Sequence, residues 1–184
     1  MTKDTFKITI HMVSSLDGMI AKKDNTISWF DTSDYYEKGI AQENAEEFLK
    51  SIDCYVMGSR TYEHALELSA SYGWAYGDTP TVVLTHRKLP VNRNNIEFCS
   101  GDLNMLVNQL KSKYNNVWVV GGAELAKDFI RSKLADEIRL SFLPIILGDG
   151  KLFFDQLQSE QAMHLKDVTA YKSGMVELWY ELRK

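Results

Sequence analysis

The sequence predicts a single α/β domain built on a mixed, mostly parallel central sheet flanked by helices, with a C-terminal antiparallel hairpin. Three observations predict it: apolar β-rich runs alternate with amphipathic helical patterns, glycine stands where strands turn into helices, and 184 residues suffice for one full core but not comfortably for two. Continuous or period-two runs rich in β-branched residues fall at 6–13, 54–57, 81–85, 96–99, 117–120 and 137–143. Helical patterns at 35–52, 60–68, 103–113 and 124–132 lie between most of them. Such alternation puts helices on both faces of a parallel sheet. The C-terminal stretch breaks the rule, because 162–171 and 175–182, joined by Lys172-Ser173-Gly174, read as an antiparallel hairpin closing the sheet edge. The longest irregular stretches, 14–28, 69–79 and 144–151, are the loops expected to serve a ligand.

Charge and composition narrow the function classes. With 21 Lys+Arg against 25 Asp+Glu the net charge is −4 and no basic face stands out, which argues against nucleic acid as a partner. No apolar run reaches the length of a membrane span, and the first residues lead into a short strand rather than a signal-peptide core, so a cytoplasmic protein with no membrane partner is expected. Cys54 and Cys99 lack companions at ligand spacing and read as reduced, structural thiols. His11, His64, His86 and His164 form no zinc pattern, and no metal is expected.

The chemistry concentrates at three strand ends. Val117-Trp118-Val119-Val120 runs into Gly121-Gly122 and then into a helix opening at Ala123-Glu124; a glycine pair there lets backbone approach a ligand, and the N–H groups of the new helix suit a phosphate diester. A tight α/β connection would use the same residues. At Met57-Gly58-Ser59-Arg60-Thr61-Tyr62-Glu63 a second strand ends in glycine and opens a helix, offering hydroxyls, a guanidinium and N–H groups to an anion. An ordinary cap by Ser59, closed by Glu63, would also account for that segment. The strand at 81–84 ends in Thr85-His86-Arg87-Lys88, basic residues at a carboxyl end, where open α/β sheets bind ligands.

The order of these pieces resembles the dihydrofolate reductase fold, and more closely the reductase family that includes the C-terminal domain of the bifunctional riboflavin-biosynthesis deaminase-reductase. Ser14-Ser15-Leu16-Asp17-Gly18-Met19-Ile20-Ala21 is similar to the family's S-L-D-G-x-I-A loop, 57–63 to its G-R-x-T-[WY]-E segment, and Val120-Gly121-Gly122-Ala123 to its G-G turn. The resemblance covers roughly 8–149 and implies NADPH along the carboxyl edge of the sheet. Gly58, Ser59, Arg60 and Thr61 would hold the adenosine-side phosphates, and Thr85, His86 and Arg87 the adenine ribose with its 2′-phosphate. Gly121, Gly122, Ala123 and Glu124 would meet the pyrophosphate, while Val13, Ile20 and Ala21 would flank the nicotinamide. One departure matters: the arginine expected directly after the glycine is Ser59, so Arg60 or Arg87 must supply the charge.

On the substrate side the resemblance implies Met12, Trp29 and Asp34, with Asp34 as the acid five positions after Trp29 and Ser141 in the place of a threonine that steadies acid and substrate. The cluster Asp31-Thr32-Ser33-Asp34 also suits a helix cap, and Asp17 of the Asp17-Gly18 pair suits a turn. Trp29, Phe30, Trp74 and Tyr76 offer an aromatic wall for a planar ring. True dihydrofolate reductases hold the folate tail with an arginine between the G-R-x-T-W-E helix and the next strand. Here the interval 66–80 contains no Lys or Arg and carries Glu67 and Asp78. The expectation is an NADPH-dependent reductase of a small heterocyclic or carbonyl substrate. The alternatives are a 5-amino-6-(5-phosphoribosylamino)uracil reductase and a nucleotide-binding module without catalysis. The family habit of pairing through C-terminal strands, with an apolar run at 175–182, makes a homodimer the expected assembly.

Overall fold

A computed structural model describes residues 6–31 and 49–184. Ten strands and three helices occur among them: β1 (Lys7–Ser15), β2 (Met19–Ala21), β3 (Cys54–Gly58), α1 (Ser59–Tyr72), β4 (Thr81–Leu84), β5 (Ile96–Cys99), α2 (Leu103–Lys113), β6 (Asn116–Gly121), α3 (Ala123–Arg131), β7 (Glu137–Leu143), β8 (Lys151–Leu152), β9 (Met163–Ala170) and β10 (Val176–Leu182). A short 3-10 turn, Ser28–Asp31, precedes the undescribed stretch. The helical pattern at 35–52 falls mostly in that stretch, and only 49 and 50 are seen to be helical.

Eight strands form one sheet in the order β5-β4-β3-β6-β1-β7-β10-β9. The first six run parallel, whereas β10 is antiparallel to both β7 and β9. Alternation along the strands splits the core. Ile8 and Ile10 of β1, Val56 of β3, Val117 and Val119 of β6, and Ile138 and Leu140 of β7 face a cluster completed by Leu106 and Leu110 of α2 and Phe129 and Ile130 of α3. Tyr55 and Met57 of β3 and Val83 of β4 instead meet Tyr62 of α1, with Trp74 and Ile96. One face therefore carries α2 and α3, and the other carries α1.

Several expectations shift. Ser14 and Ser15 belong to β1 and are buried, because β1 stays in register with β7 as far as Ser15↔Leu143. The loop expected at 14–28 also contains β2, which pairs with β8. Helix α1 runs on to Tyr72 rather than stopping at 68, and Gly73 closes it in a positive-φ conformation that no continuing helix adopts. The run at 175–182 is not the sheet edge: β10 is inserted between β7 and β9, so β9 is outermost. Its Met163, Leu165 and Val168 are exposed apolar side chains.

Candidate active site

The carboxyl ends of β4, β3 and β6 lie side by side on one edge, so Thr85 to Arg87, Gly58 to Thr61 and Gly121 to Glu124 share about 10 Å of that edge at the usual strand spacing. The crossover after β3 leads to β4, whereas the one after β6 passes β1 to reach β7. The direction of winding reverses between β3 and β6, which is where open α/β sheets bind nucleotides.

Backbone chemistry at this reversal differs from that at the third helix among the described residues. Helix α2 is capped conventionally, the Asp102 carboxylate accepting hydrogen bonds from Asn104 N (2.8 Å) and Met105 N (3.2 Å). Helices α1 and α3 begin after Gly58 and Gly122, and neither has a side-chain cap. Ser59 is thus the first residue of α1 rather than its cap, and the Glu63 carboxylate turns to Arg87 instead of closing a capping box. Two helix N-termini, one on each face of the sheet, leave their N–H groups toward one crevice, the arrangement a phosphate diester needs. A side chain at Gly58 would point to within 3.8 Å of Gly121 O, and one at Gly122 to within 3.5 Å of Thr61 Oγ1. Gly121 itself sits at φ +118° with the Met12 thioether over it, the methyl carbon 3.1 Å from where a Cβ would stand.

Arg87 and Glu124 are already engaged. Arg87 makes a two-pronged pair with Glu63, 2.7 and 2.6 Å, which holds the Glu63 carboxyl below its usual range. The Arg87 N–H donates to Thr85 Oγ1 (3.0 Å), so the turn after β4 is fixed. His86 is exposed, and so is Arg60. Glu124 accepts a hydrogen bond from Lys127 (2.8 Å), which lowers its pKa and leaves its N–H, rather than its carboxylate, to the crevice.

Ile20 and Ala21 lie in the small β2-β8 sheet. Asp17 is the turn former that Asp-Gly promises, and it also ties two loops together. Its carboxylate accepts from Ser15 Oγ (2.6 Å), Leu147 N (3.1 Å) and Gly148 N (2.7 Å), and these bonds lower its pKa. Trp29 is buried and edge-on to Phe30, and its indole N–H has no protein partner among the described residues. Asp34 lies outside the described residues.

Ser141 does not stand alone. Val13 of β1 and Glu177 of β10 are its register partners, and His11 and Arg139 lie one alternation back on the same face. Ser141 Oγ is 3.1 Å from His11 Nε2 and 3.4 Å from Glu177 Oε2, while Arg139 donates to Glu177 Oε1 at 2.5 Å. His11 Nε2 also lies 3.5 Å from Glu177, but this is no ion pair, because burial and then the Arg139 charge depress the imidazole pKa to about 3. Arg139 is the counter-charge, and His11 is a neutral hydrogen-bonding group stacked on Trp118 with ring centroids 5.0 Å apart. Sequence reasoning missed His11, Arg139 and Glu177. The available signal was period-two polarity, Thr9 and His11 in β1 against Glu137, Arg139 and Ser141 in β7.

This sheet edge defines the class of protein: an α/β domain of dihydrofolate reductase-like fold with two helix N-termini that lack side-chain caps at its winding reversal. The chain belongs to the RibD C-terminal domain family, whose sequence profile matches residues 6–177. It is 30% identical over 175 residues to the uncharacterized protein YwjB of Bacillus subtilis (strain 168), covering 95% of this chain and 97% of that one. A Shewanella sp. PV-4 protein provisionally assigned to riboflavin biosynthesis superposes with TM-score 0.82 at 22% identity, covering 97% of this chain and 100% of that one. Dihydrofolate reductase from Enterococcus faecalis, solved with NADP(H), superposes with TM-score 0.59 at 15% identity over 97% of each chain. No described helix is long and apolar enough to cross a membrane.

The neutral burial of His11 has a sign. Its folded pKa lies below the unfolded value of 6.5, so the unfolded chain takes up a proton that the native state refuses, and stability falls as pH drops from about 6.5 toward 3. Urea unfolding should show His11 adding up to about 1.4 kcal/mol per pH unit across that window. The variant His11→Gln should be less stable at pH 7 and should lose this component; equal slopes for the two proteins would refute the assignment.

Proposed function

We propose that the chain is an NADPH-dependent reductase acting by hydride transfer on a small neutral heterocycle or carbonyl compound. One observation carries the reading: two glycine-capped helix N-termini converge on the winding reversal, where α2, away from it, has an ordinary Asp cap. These residues suit a nicotinamide dinucleotide. Gly58 to Thr61 would hold phosphate from the α1 side, Gly121 to Glu124 from the α3 side, and Thr85 to Arg87 the adenine ribose. Bound there, the cofactor would supply the hydride. The chain's own part would be to position and to exclude water: Val13, Ile20 and Ala21 would flank the nicotinamide, and Met12 lies over Gly121.

Ser141, with Glu177 and His11 behind it, would offer fixed hydrogen-bonding groups to the substrate. The interval 66–80, free of Lys and Arg, is filled by aromatic packing. Trp74 and Tyr76 meet edge-on at 5.1 Å, Tyr76 meets Tyr55 at 4.9 Å, and burial pushes the Tyr76 phenol up to about 12. Arg93 is stacked over the Trp74 ring at 5.7 Å. The interval itself therefore offers no cation to a dianionic glutamate tail or a sugar phosphate; outside it Arg93 stands over Trp74, Lys22 donates to Ser28, Lys23 is paired with Asp149, and Lys38 lies outside the described residues. A tail-less substrate fits the interval best. A catalytically silent nucleotide-binding module is the competing reading.

Calorimetry is the first test. The chain should bind NADPH, and Gly58→Ala should keep its thermal midpoint, because the new methyl meets nothing closer than 3.8 Å, yet weaken NADPH by about tenfold. Gly121 cannot serve as the diagnostic position, since its positive φ would strain any other residue and confuse unfolding with lost binding. Absence of binding at millimolar cofactor would overturn the proposal.

For the substrate, a tail-less dihydropterin should exceed dihydrofolate in kcat/KM at saturating NADPH. A dihydrofolate value near 10⁴–10⁸ M⁻¹s⁻¹ that beats the tail-less analogue would remove the argument from the missing cations, and no cofactor oxidation with any pterin, pyrimidine or aldehyde would favour the silent module.

For the assembly, we propose a homodimer joined at the outermost strand, β9, whose apolar side chains are exposed. Light scattering should give a dimer at micromolar concentration, and Val168→Lys should shift it to monomer.

A further inference from the structure

The Arg87–Glu63 pair is poorly explained as a stabilising contact. The side chains are 56% and 36% exposed, and ion pairs with that much water contribute little to folding. Yet its geometry is well defined: two parallel hydrogen bonds, a backbone turn fixed by Thr85, and a carboxylate on the second turn of α1, one strand away from the crevice. Ser59 adds no charge at the position directly after Gly58. The adenosine end of the edge therefore presents a guanidinium whose charge is cancelled by a carboxylate.

We infer that Glu63 sets the choice of nicotinamide cofactor by holding Arg87, an inference that rests on the reading of this edge as a dinucleotide site. A ribose 2′-hydroxyl is a hydrogen-bond donor that a carboxylate accepts without repulsion. A 2′-phosphate carries nearly two negative charges. It must draw Arg87 out of the fork and then share the site with Glu63, so the attraction of one group is offset by the repulsion of the other. The chain accordingly favours NADPH over NADH by less than an unpaired Arg87 would allow. Selectivity is limited by the acidic residue, not by a shortage of basic ones, since Arg87 and the exposed Arg60 are both present.

The experiment measures affinities, not turnover. Dissociation constants for NADPH, NADH, 2′,5′-ADP and 5′-AMP are determined by calorimetry for the wild-type chain, for Glu63→Gln, and for the double variant Glu63→Gln, Arg87→Gln. Glutamine keeps the shape and removes the charge, and an exposed position leaves the thermal midpoint in place. The wild type should bind NADPH and NADH within about tenfold of each other. Glu63→Gln should raise the preference for NADPH, and for 2′,5′-ADP over 5′-AMP, by about fivefold or more, with NADH nearly unchanged. The double variant should lose that gain. If both cofactors bind and Glu63→Gln leaves the ratio unchanged, the inference fails while the dinucleotide site stands. If none of the four binds the wild type, the site itself fails and the inference with it.

Discussion

The architecture turns on how closely the ends of β3 and β6 approach each other. Met57 stands in register with Gly121 after a shift in the pairing, and the next residues of both strands turn at once into helices on opposite faces. Glycine keeps the backbone of both turns uncovered: a Cβ at Gly58 or Gly122 would meet the Gly121 carbonyl or the Thr61 hydroxyl only at ordinary contact distance, while Gly121 is held to glycine by its positive φ and by the Met12 methyl 3.1 Å from where a Cβ would stand. The consequence is electrostatic as well as steric. A capping Ser or Asp would satisfy the helix N–H groups internally, as Asp102 does for α2, and would leave nothing for a ligand. Glycine gives up that local stabilisation and keeps the donors free.

A similar logic of close approach holds the flanking loops. Asp17 collects a hydroxyl and two backbone N–H groups from its own turn and from the loop before β8. Gly150, where a Cβ would collide with the Ala21 carbonyl, lets the β8 segment press against β2. The ends of β1 and β7 are thereby tied together beside the crevice, and Ile20 and Ala21 are placed by that tie rather than by the main sheet. The Asp-Gly pair is thus a structural joint close to the site, and the low pKa of its carboxyl reflects the donors it satisfies.

Much of this was legible because strand ends announce themselves. Gly58, Gly121 and Gly122 were readable from an apolar run meeting glycine and then a helical pattern, and the parallel sheet followed from the alternation. Three things were not. The order of β7, β10 and β9 depends on long-range pairing that no local pattern encodes, so the outermost strand was misplaced by one. The Arg87–Glu63 fork joins residues 24 positions apart on different elements, and neither residue signals the other. The polar face of β1, β7 and β10 was hidden because each strand alone reads as ordinary alternation with water on one side.

That polar face is where the stability argument and the functional one separate. Glu177 and Ser141 are buried, and Glu137 below them is buried too, bonded by Lys166 at 2.5 Å, by the Trp179 indole at 3.0 Å and paired with Lys7 at 3.1 Å. Burial alone would raise the Glu137 pKa, but the two lysines outweigh it and the group stays below its usual range. The carboxylate is buried while Lys7 and Lys166 stay partly exposed, so each pair is anchored on the sheet and reaches solvent at its cationic end. Across the same sheet, the α2–α3 face is filled chiefly by Ile, Val, Leu and Phe, without any such network among the described residues. The asymmetry argues for a use of the charged face, and its position agrees with one: the groups run from Glu137 through Arg139 and Glu177 to Ser141, toward the same carboxyl edge at which the two helix N-termini wait.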